Sequence, residues 1–77
     1  MRAENWDRRE LEIEGWPVKV TSYQLGDSYV TEIEASATGS TIARGIAKSS
    51  TDSWKEASEA ASRRLLRTRR INLTIGG

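Results

Sequence analysis

Closely spaced carboxylates are the first residues of this sequence that could do chemistry. Two sets of glutamates alternate with other residues: Glu32 and Glu34, and Glu10, Glu12 and Glu14. Side chains two residues apart share one face of a strand, so each set would present its carboxylates together. Paired carboxylates act as acid and base in hydrolases, and they also bind hard cations such as Ca²⁺. A chain of 77 residues is short for a deep cleft, and the spacing of a calcium loop is absent, so we interpret these acids as a solvated sheet face.

A run of arginines is the second candidate. Five arginines fall within eight residues: Arg63, Arg64, Arg67, Arg69 and Arg70. Guanidinium groups form forked hydrogen bonds with phosphates and carboxylates, which indicates contact with nucleic acid or with an acidic protein. On a helix, Arg63, Arg67 and Arg70 share the solvent-facing side, and Lys55 adds a base near the helix start. The alternative is a solvated helix end, because cations stabilise helix C-termini and Glu59 is spaced to pair with Arg63.

Cysteine and histidine are both absent from the chain. Disulfides, sulfur-based zinc sites and Ser–His or Cys–His nucleophile pairs are therefore excluded. No base is placed to activate a hydroxyl, so we predict that the protein is not an enzyme and has no catalytic residue, metal or cofactor. No apolar run of membrane-spanning length and no secretion signal is present, so we expect no membrane partner and a cytoplasmic location.

One stretch carries a clear helix signal and predicts a helix over residues 53–69. Apolar residues recur on one narrow stripe, at Trp54, Ala57, Ala61 and Leu65. Ser53 followed three residues later by Glu56 is a capping-box pattern, so we place the N-cap at Ser53, with Thr51 or Asp52 as alternatives.

Residues 10–48 predict antiparallel strands, because apolar and polar residues alternate between turn signals. Gly26-Asp27 separates two such runs and predicts a two-residue hairpin turn of type II′. Val18 and Val20 share one strand face, whereas Tyr23 falls on the other, which predicts a β-bulge near Ser22. The segments are 10–14, 16–25, 28–37 and 41–48.

These elements predict one domain over residues 1–77 with an α+β fold. Three or four antiparallel strands form a meander that the C-terminal helix covers on one face, a two-layer β-β-β-α sandwich. Residues 1–9 are predicted to be a loose tail, and residues 70–77 a flexible or short extended tail. The inward face of the last strand stays open between its large and its small residues. The predicted core comprises Val18, Val20, Tyr29, Ile33, Ile42 or Ile46, Trp54, Ala57, Ala61 and Leu65.

The last strand and the helix start carry a family pattern. Thr41-Ile-Ala-Arg-Gly-Ile-Ala47, followed by Ser53-Trp-Lys-Glu-Ala-Ser-Glu-Ala-Ala61, resembles the end of the double-stranded-RNA-binding domain. The resemblance implies that family's strand–strand–strand–helix order and, as an activity, RNA binding. The positions of the family's RNA-contacting lysines hold Trp54, Lys55 and Ser58, so only one of the three is basic. The order is also similar to that of HicB-type antitoxins, which bind protein partners.

Charge and composition set the functional expectation. Residues 1–34 hold eight acids and four bases, whereas residues 35–77 hold three acids and eight bases. The N-terminal part of the chain is therefore acidic and the C-terminal part basic. Such halves attract each other within a molecule or between two molecules, unless both are ordinary solvated faces. We expect a small interaction module that binds a protein or associates with itself, for instance as a homodimer. The alternative is a divergent RNA- or DNA-binding domain that uses Arg63, Arg67 and Arg70.

Overall fold

Four antiparallel strands followed by one helix make up the computed structural model, which describes the chain over residues 3–76 and its side chains over residues 3–67. The strands are β1 (Ala3–Ile13), β2 (Trp16–Leu25), β3 (Ser28–Ala35) and β4 (Thr41–Ala47), and the helix is α1 (Ser50–Gly76). They form one sheet in the order β1-β2-β3-β4. The helix covers one face, here called the inner face, and leaves the opposite outer face bare. The predicted α+β meander with a C-terminal helix is confirmed.

The loose tail predicted for residues 1–9 is wrong over residues 3–9, which form the first part of β1. Arg8 lies opposite Thr21 and Arg9 opposite Val20, so this segment belongs to the sheet. The segment is polar because β1 is an edge strand whose side chains are mostly exposed. Charged side chains on an edge strand hinder its pairing with other chains. Because these charged residues replace apolar ones, the segment lacks the alternation of apolar and polar residues by which strands were predicted.

The bulge predicted near Ser22 is wrong, because β2 pairs with β3 without interruption. One register irregularity lies in β1, where Asn5 and Trp6 stand opposite Tyr23 alone, and another lies between β3 and β4, next to the Ile33–Ala43 pair. Asn5 has a positive φ of 56°, and its amide donates a hydrogen bond of 2.6 Å to the side chain of Gln24. Val20 and Tyr23 lie on opposite faces without any register shift in β2, since both faces of this strand carry apolar residues.

Two-residue turns join the first three strands. Leu25 pairs with Ser28, and Gly26 between them has a φ of 58°, as the first position of a type II′ turn requires, so the predicted turn is confirmed. Ile13 pairs with Trp16 across Glu14 and Gly15. Both of these turn residues have positive φ, 53° and 80°, which is the type I′ pattern.

The ends of α1 differ from the prediction. The N-cap is Ser49, whose Oγ accepts a hydrogen bond of 3.1 Å from the backbone N–H of Asp52, and none of the three predicted caps takes this role. Ser53 is instead fully buried. The helix also continues to Gly76, so the tail predicted for residues 70–77 is wrong over residues 70–76. Their β-branched residues lower helix propensity only slightly, and no proline interrupts them.

The core lies between the inner face and the helix. Its fully buried centre comprises Val18, Ile33, Ala57 and Ala61. The predicted core is wrong at Trp54, which is 37% exposed, and at Tyr29, which is half-buried.

The small residues of β4, and not its large ones, lie on the face that points toward the core. Ala43 is buried in the core, whereas Ile46 is 51% exposed on the outer face. A Cβ on Gly45 would lie 2.3 Å from the backbone oxygen of Ser53, so the helix approaches β4 as closely as its backbone allows.

Candidate functional site

The basic residues singled out in the sequence do not form one cluster. Arg63 and Arg67 are exposed on α1, and Lys55 is exposed near its start. Eight residues of helix separate Lys55 from Arg63, which is about 12 Å at the rise of an α-helix. Arg63 forms no ion pair with Glu59 in the part of the chain with described side chains. Arg70 lies outside the residues whose side chains are described.

Arg64 has a structural role that the sequence did not predict. Its Nη1 donates a hydrogen bond of 2.7 Å to the backbone oxygen of Ile42. The arginine thereby ties the middle of α1 to the start of β4. Its guanidinium is committed to this carbonyl, so Arg64 differs from the outward-facing Arg63 and Arg67.

Two of the alternating glutamates, Glu32 and Glu14, are hydrogen-bonded to neighbouring side chains. Glu32 accepts a hydrogen bond of 2.9 Å from the Tyr23 hydroxyl and lies 3.4 Å from the guanidinium of Arg44. Glu14 accepts a hydrogen bond of 2.5 Å from Ser62 of the helix. Among the described residues, no group of three or more acidic side chains could hold a metal ion.

An apolar row crosses the outer face of the sheet. It contains one residue from each strand, Trp6, Tyr23, Val30 and Ile46, and we call it the apolar row. Tyr23 lies opposite Val30, and Val30 lies opposite Ile46, so these three side chains are lateral neighbours. The Trp6 ring stacks on Tyr23 with a centroid distance of 4.5 Å and an interplanar angle of 28°. Val30 is fully buried, although it lies outside the main core cluster.

The two ends of the apolar row are open to solvent. Trp6 is 61% exposed and Ile46 is 51% exposed, and these are the highest values among the large apolar residues with described side chains. Exposed aromatic and aliphatic side chains that lie together mark interaction surfaces more often than isolated ones do. The row is therefore the strongest candidate binding surface.

Charged residues flank the apolar row. Arg8, Thr21, Glu32 and Arg44 form the next row across the sheet, and Glu10, Lys19 and Glu34 form the row after it. With Glu12, the outer face holds four carboxylates and three cations. The pair between Glu32 and Arg44 is partly exposed, so it contributes about 1 kcal/mol or less to stability. This pair places one positive and one negative side chain beside the apolar row, which gives the row a polar rim.

A groove of about 570 Å³ lies on the inner face, between β1 and the first turns of α1. Leu11, Val20 and Trp54 supply apolar lining, and serines from the strands and the helix supply hydroxyl groups. Arg9 donates a hydrogen bond of 2.8 Å to Asp7 at its edge. These are the charged groups among the described residues that line the groove, and they pair with each other. The groove thus lacks an unpaired charge that would orient a ligand.

The sequence contained only part of the signal for the apolar row. Trp6 was placed in the loose tail, so its stacking partner was not predictable. Tyr23 was correctly placed on the face away from Val18 and Val20. The row exists because the register of four strands aligns residues that are up to 40 positions apart.

Comparison with known protein families, with curated proteins and with solved structures finds no match to this chain. The resemblance to the double-stranded-RNA-binding domain therefore stays a prediction. Over the residues that the structure describes, no helix is both long enough and apolar enough to cross a membrane.

Proposed function

We propose that this chain is a non-catalytic interaction module that binds another protein through the outer face of its sheet. The observation that carries the proposal is the apolar row, with Trp6 stacked on Tyr23 and with both ends of the row exposed. Tryptophan and tyrosine dominate the binding energy of protein interfaces, where a polar rim surrounds an apolar centre. The outer face has this composition.

The charges of the outer face favour a protein partner over nucleic acid. Surfaces that stack bases on aromatic side chains combine them with an excess of cations along the phosphate path. Here Glu10, Glu32 and Glu34 lie within two rows of the aromatic pair, and carboxylates outnumber cations on this face. A protein partner with mixed charges fits such a rim, since each sign can find its complement.

Replacing Trp6 with alanine should weaken partner binding at least about tenfold, because tryptophan is the residue type most enriched among the hot spots of protein interfaces. The tagged chain would first be used to isolate a partner from its source cells. Binding of the purified partner would then be measured by titration calorimetry for the wild type and for the Trp6→Ala variant. Folding should be retained, since Trp6 is 61% exposed and its ring stack contributes about 1 kcal/mol.

Lys55→Ala is the matched control, because Lys55 is exposed on the helix and far from the outer face. It should bind the partner as the wild type does. Equal affinity of the Trp6→Ala variant and the wild type would contradict the proposed surface. A partner lost equally by both variants would also contradict it.

Nucleic-acid binding by the helix is the second candidate. Its support is that Arg63 and Arg67 are exposed on α1 and form no ion pair among the described side chains. An Arg63→Glu/Arg67→Glu/Arg70→Glu variant should then lose binding to a labelled RNA or DNA duplex. Wild-type affinity should fall steeply with salt, because each neutralised phosphate releases counterions.

A fluorescence-anisotropy titration at two salt concentrations measures both effects. Lys55→Glu changes a single exposed base at the other end of the helix, so it serves as the control and should retain most of the affinity. Wild-type binding that is absent at low salt, or equal binding by the triple variant, would rule out this candidate.

A further inference from the structure

The β4 edge of the sheet is less protected than the β1 edge. β4 ends the strand order, so one side of its backbone has no partner strand in the sheet. Its seven residues include a single charge, Arg44, which is engaged with Glu32. Arg64 covers one backbone carbonyl, that of Ile42. β4 has a register irregularity of its own, between the pairs Ile33–Ala43 and Glu34–Thr41. It nevertheless carries fewer charges than β1, and an edge strand with few charges favours pairing with another strand.

The helix packs over β4 and over its neighbour β3. The Gly45 backbone approaches Ser53 and Ala57, and the Ile42 carbonyl binds Arg64. The part of β4 between these two contacts is therefore level with the middle of α1, near Ala60. Paired strands lie about 4.8 Å apart and packed helices about 8–10 Å apart. Two copies joined at β4 would consequently bring their helices into contact near Ala60.

The flank of α1 on the β4 side has a charge order that suits such contact. Trp54 lies on the other flank, at the groove beside β1. The β4 flank carries acids in its first half and bases in its second half, on either side of a small residue: Asp52, Glu56, Ala60, Arg63 and Arg67. The four charged residues are exposed and Ala60 is half-buried. Ala60 at the crossing point would permit close approach.

We propose that two copies of this chain associate about a two-fold axis through the β4 edge and this flank of α1. A two-fold axis perpendicular to the sheet makes both the paired β4 strands and the helices antiparallel, so the crossing near Ala60 places Glu56 of each copy opposite Arg63 of the other. Asp52 likewise faces Arg67 of the second copy. The acidic half of one flank thus meets the basic half of its copy. The inference deepens the proposed interaction function, and its surface lies at the opposite edge of the sheet from Trp6.

Charge reversal at one position tests the arrangement by sedimentation equilibrium. The wild type should show twice the monomer mass of 8.6 kDa. Glu56→Arg and Arg63→Glu should each raise the dissociation constant at least about tenfold, because each reversal creates two like-charge contacts in the dimer. Both side chains are exposed, so circular dichroism should show a retained fold.

Complementation gives the matched control. An equimolar mixture of the Glu56→Arg and Arg63→Glu variants should regain the dimer mass, and so should the Glu56→Arg/Arg63→Glu double variant. A monomeric wild type at concentrations up to about 1 mM would overturn the inference, as would unchanged association of the single variants. Trp6→Ala should leave the dimer intact. Dissociation by Trp6→Ala with no effect of Glu56→Arg would also overturn it, and would assign self-association to the outer face instead.

Discussion

Replacing Gly45 with alanine should destabilise the fold by about 3 kcal/mol, at the upper end of what overpacking costs. The added Cβ would lie 2.3 Å from the oxygen of Ser53 and 2.8 Å from the nitrogen of Ala57. Both are backbone atoms of α1, so no side-chain rotation relieves the contact and the helix must lift from β4. A chain of this size has a total stability of about 4–12 kcal/mol, so the variant should lose much of it. Urea unfolding followed by circular dichroism measures the change.

Gly39→Ala separates this steric effect from a general cost of replacing glycine. Gly39 has a φ of 75°, and an added Cβ there meets no atom within 4 Å. Its replacement should therefore cost about 1–2 kcal/mol, from backbone strain alone. If Gly45→Ala proved no more destabilising than Gly39→Ala, the close approach of α1 to β4 would be wrong.

The strands that the sequence predicted well are those with one apolar face. β2 begins and ends at the predicted residues, because Trp16, Val18 and Val20 alternate with polar residues and turn signals flank the segment. The two-residue turn at Gly26 followed from the rarity of positive φ outside glycine. Local chemistry determined these features, so the sequence alone was sufficient.

The predictions were wrong at positions where contacts between the helix and the sheet determine the structure. Ser53 matched a capping box, but its hydroxyl bonds that of Thr31 at 2.8 Å in the core, and the cap moved to Ser49. Trp54 matched the apolar stripe, but the buried side of α1 is centred on the small residues Ala57 and Ala61, which leaves the indole at the edge. Helical spacing defines an apolar stripe about 100° wide, and the closest approach to the sheet selects the small side chains within it.

The candidate site was the least predictable feature. The arginines were visible as a run in the sequence, and the structure confirms that Arg63 and Arg67 are exposed. The apolar row depends on the register of four strands and on the irregularity that aligns Trp6 with Tyr23. Neither the register of β1 nor its existence before residue 10 followed from local patterns.

Ile33→Ala should destabilise the protein by about 3 kcal/mol, within the range observed for truncating buried aliphatic residues. Ile33 is fully buried at the centre of the inner face, between Val20 of β2 and Ala43 of β4. Truncation of Ile33 would leave a cavity. The helix cannot move toward the sheet to fill it, because the backbones of α1 and β4 are already in contact at Gly45. Thermal and urea unfolding would both show the loss.

Ile46→Ala is the matched control, because it deletes the same atoms from the opposite face of the same sheet. Ile46 is 51% exposed, so only about half of its side chain is buried, and its truncation leaves no enclosed cavity. The Ile46→Ala variant should therefore lose about 1 kcal/mol of stability. The ratio of the two effects therefore tests which face the helix covers. Equal losses would mean that Ile46 is buried as deeply as Ile33, and the exposed apolar row on the outer face would then not exist.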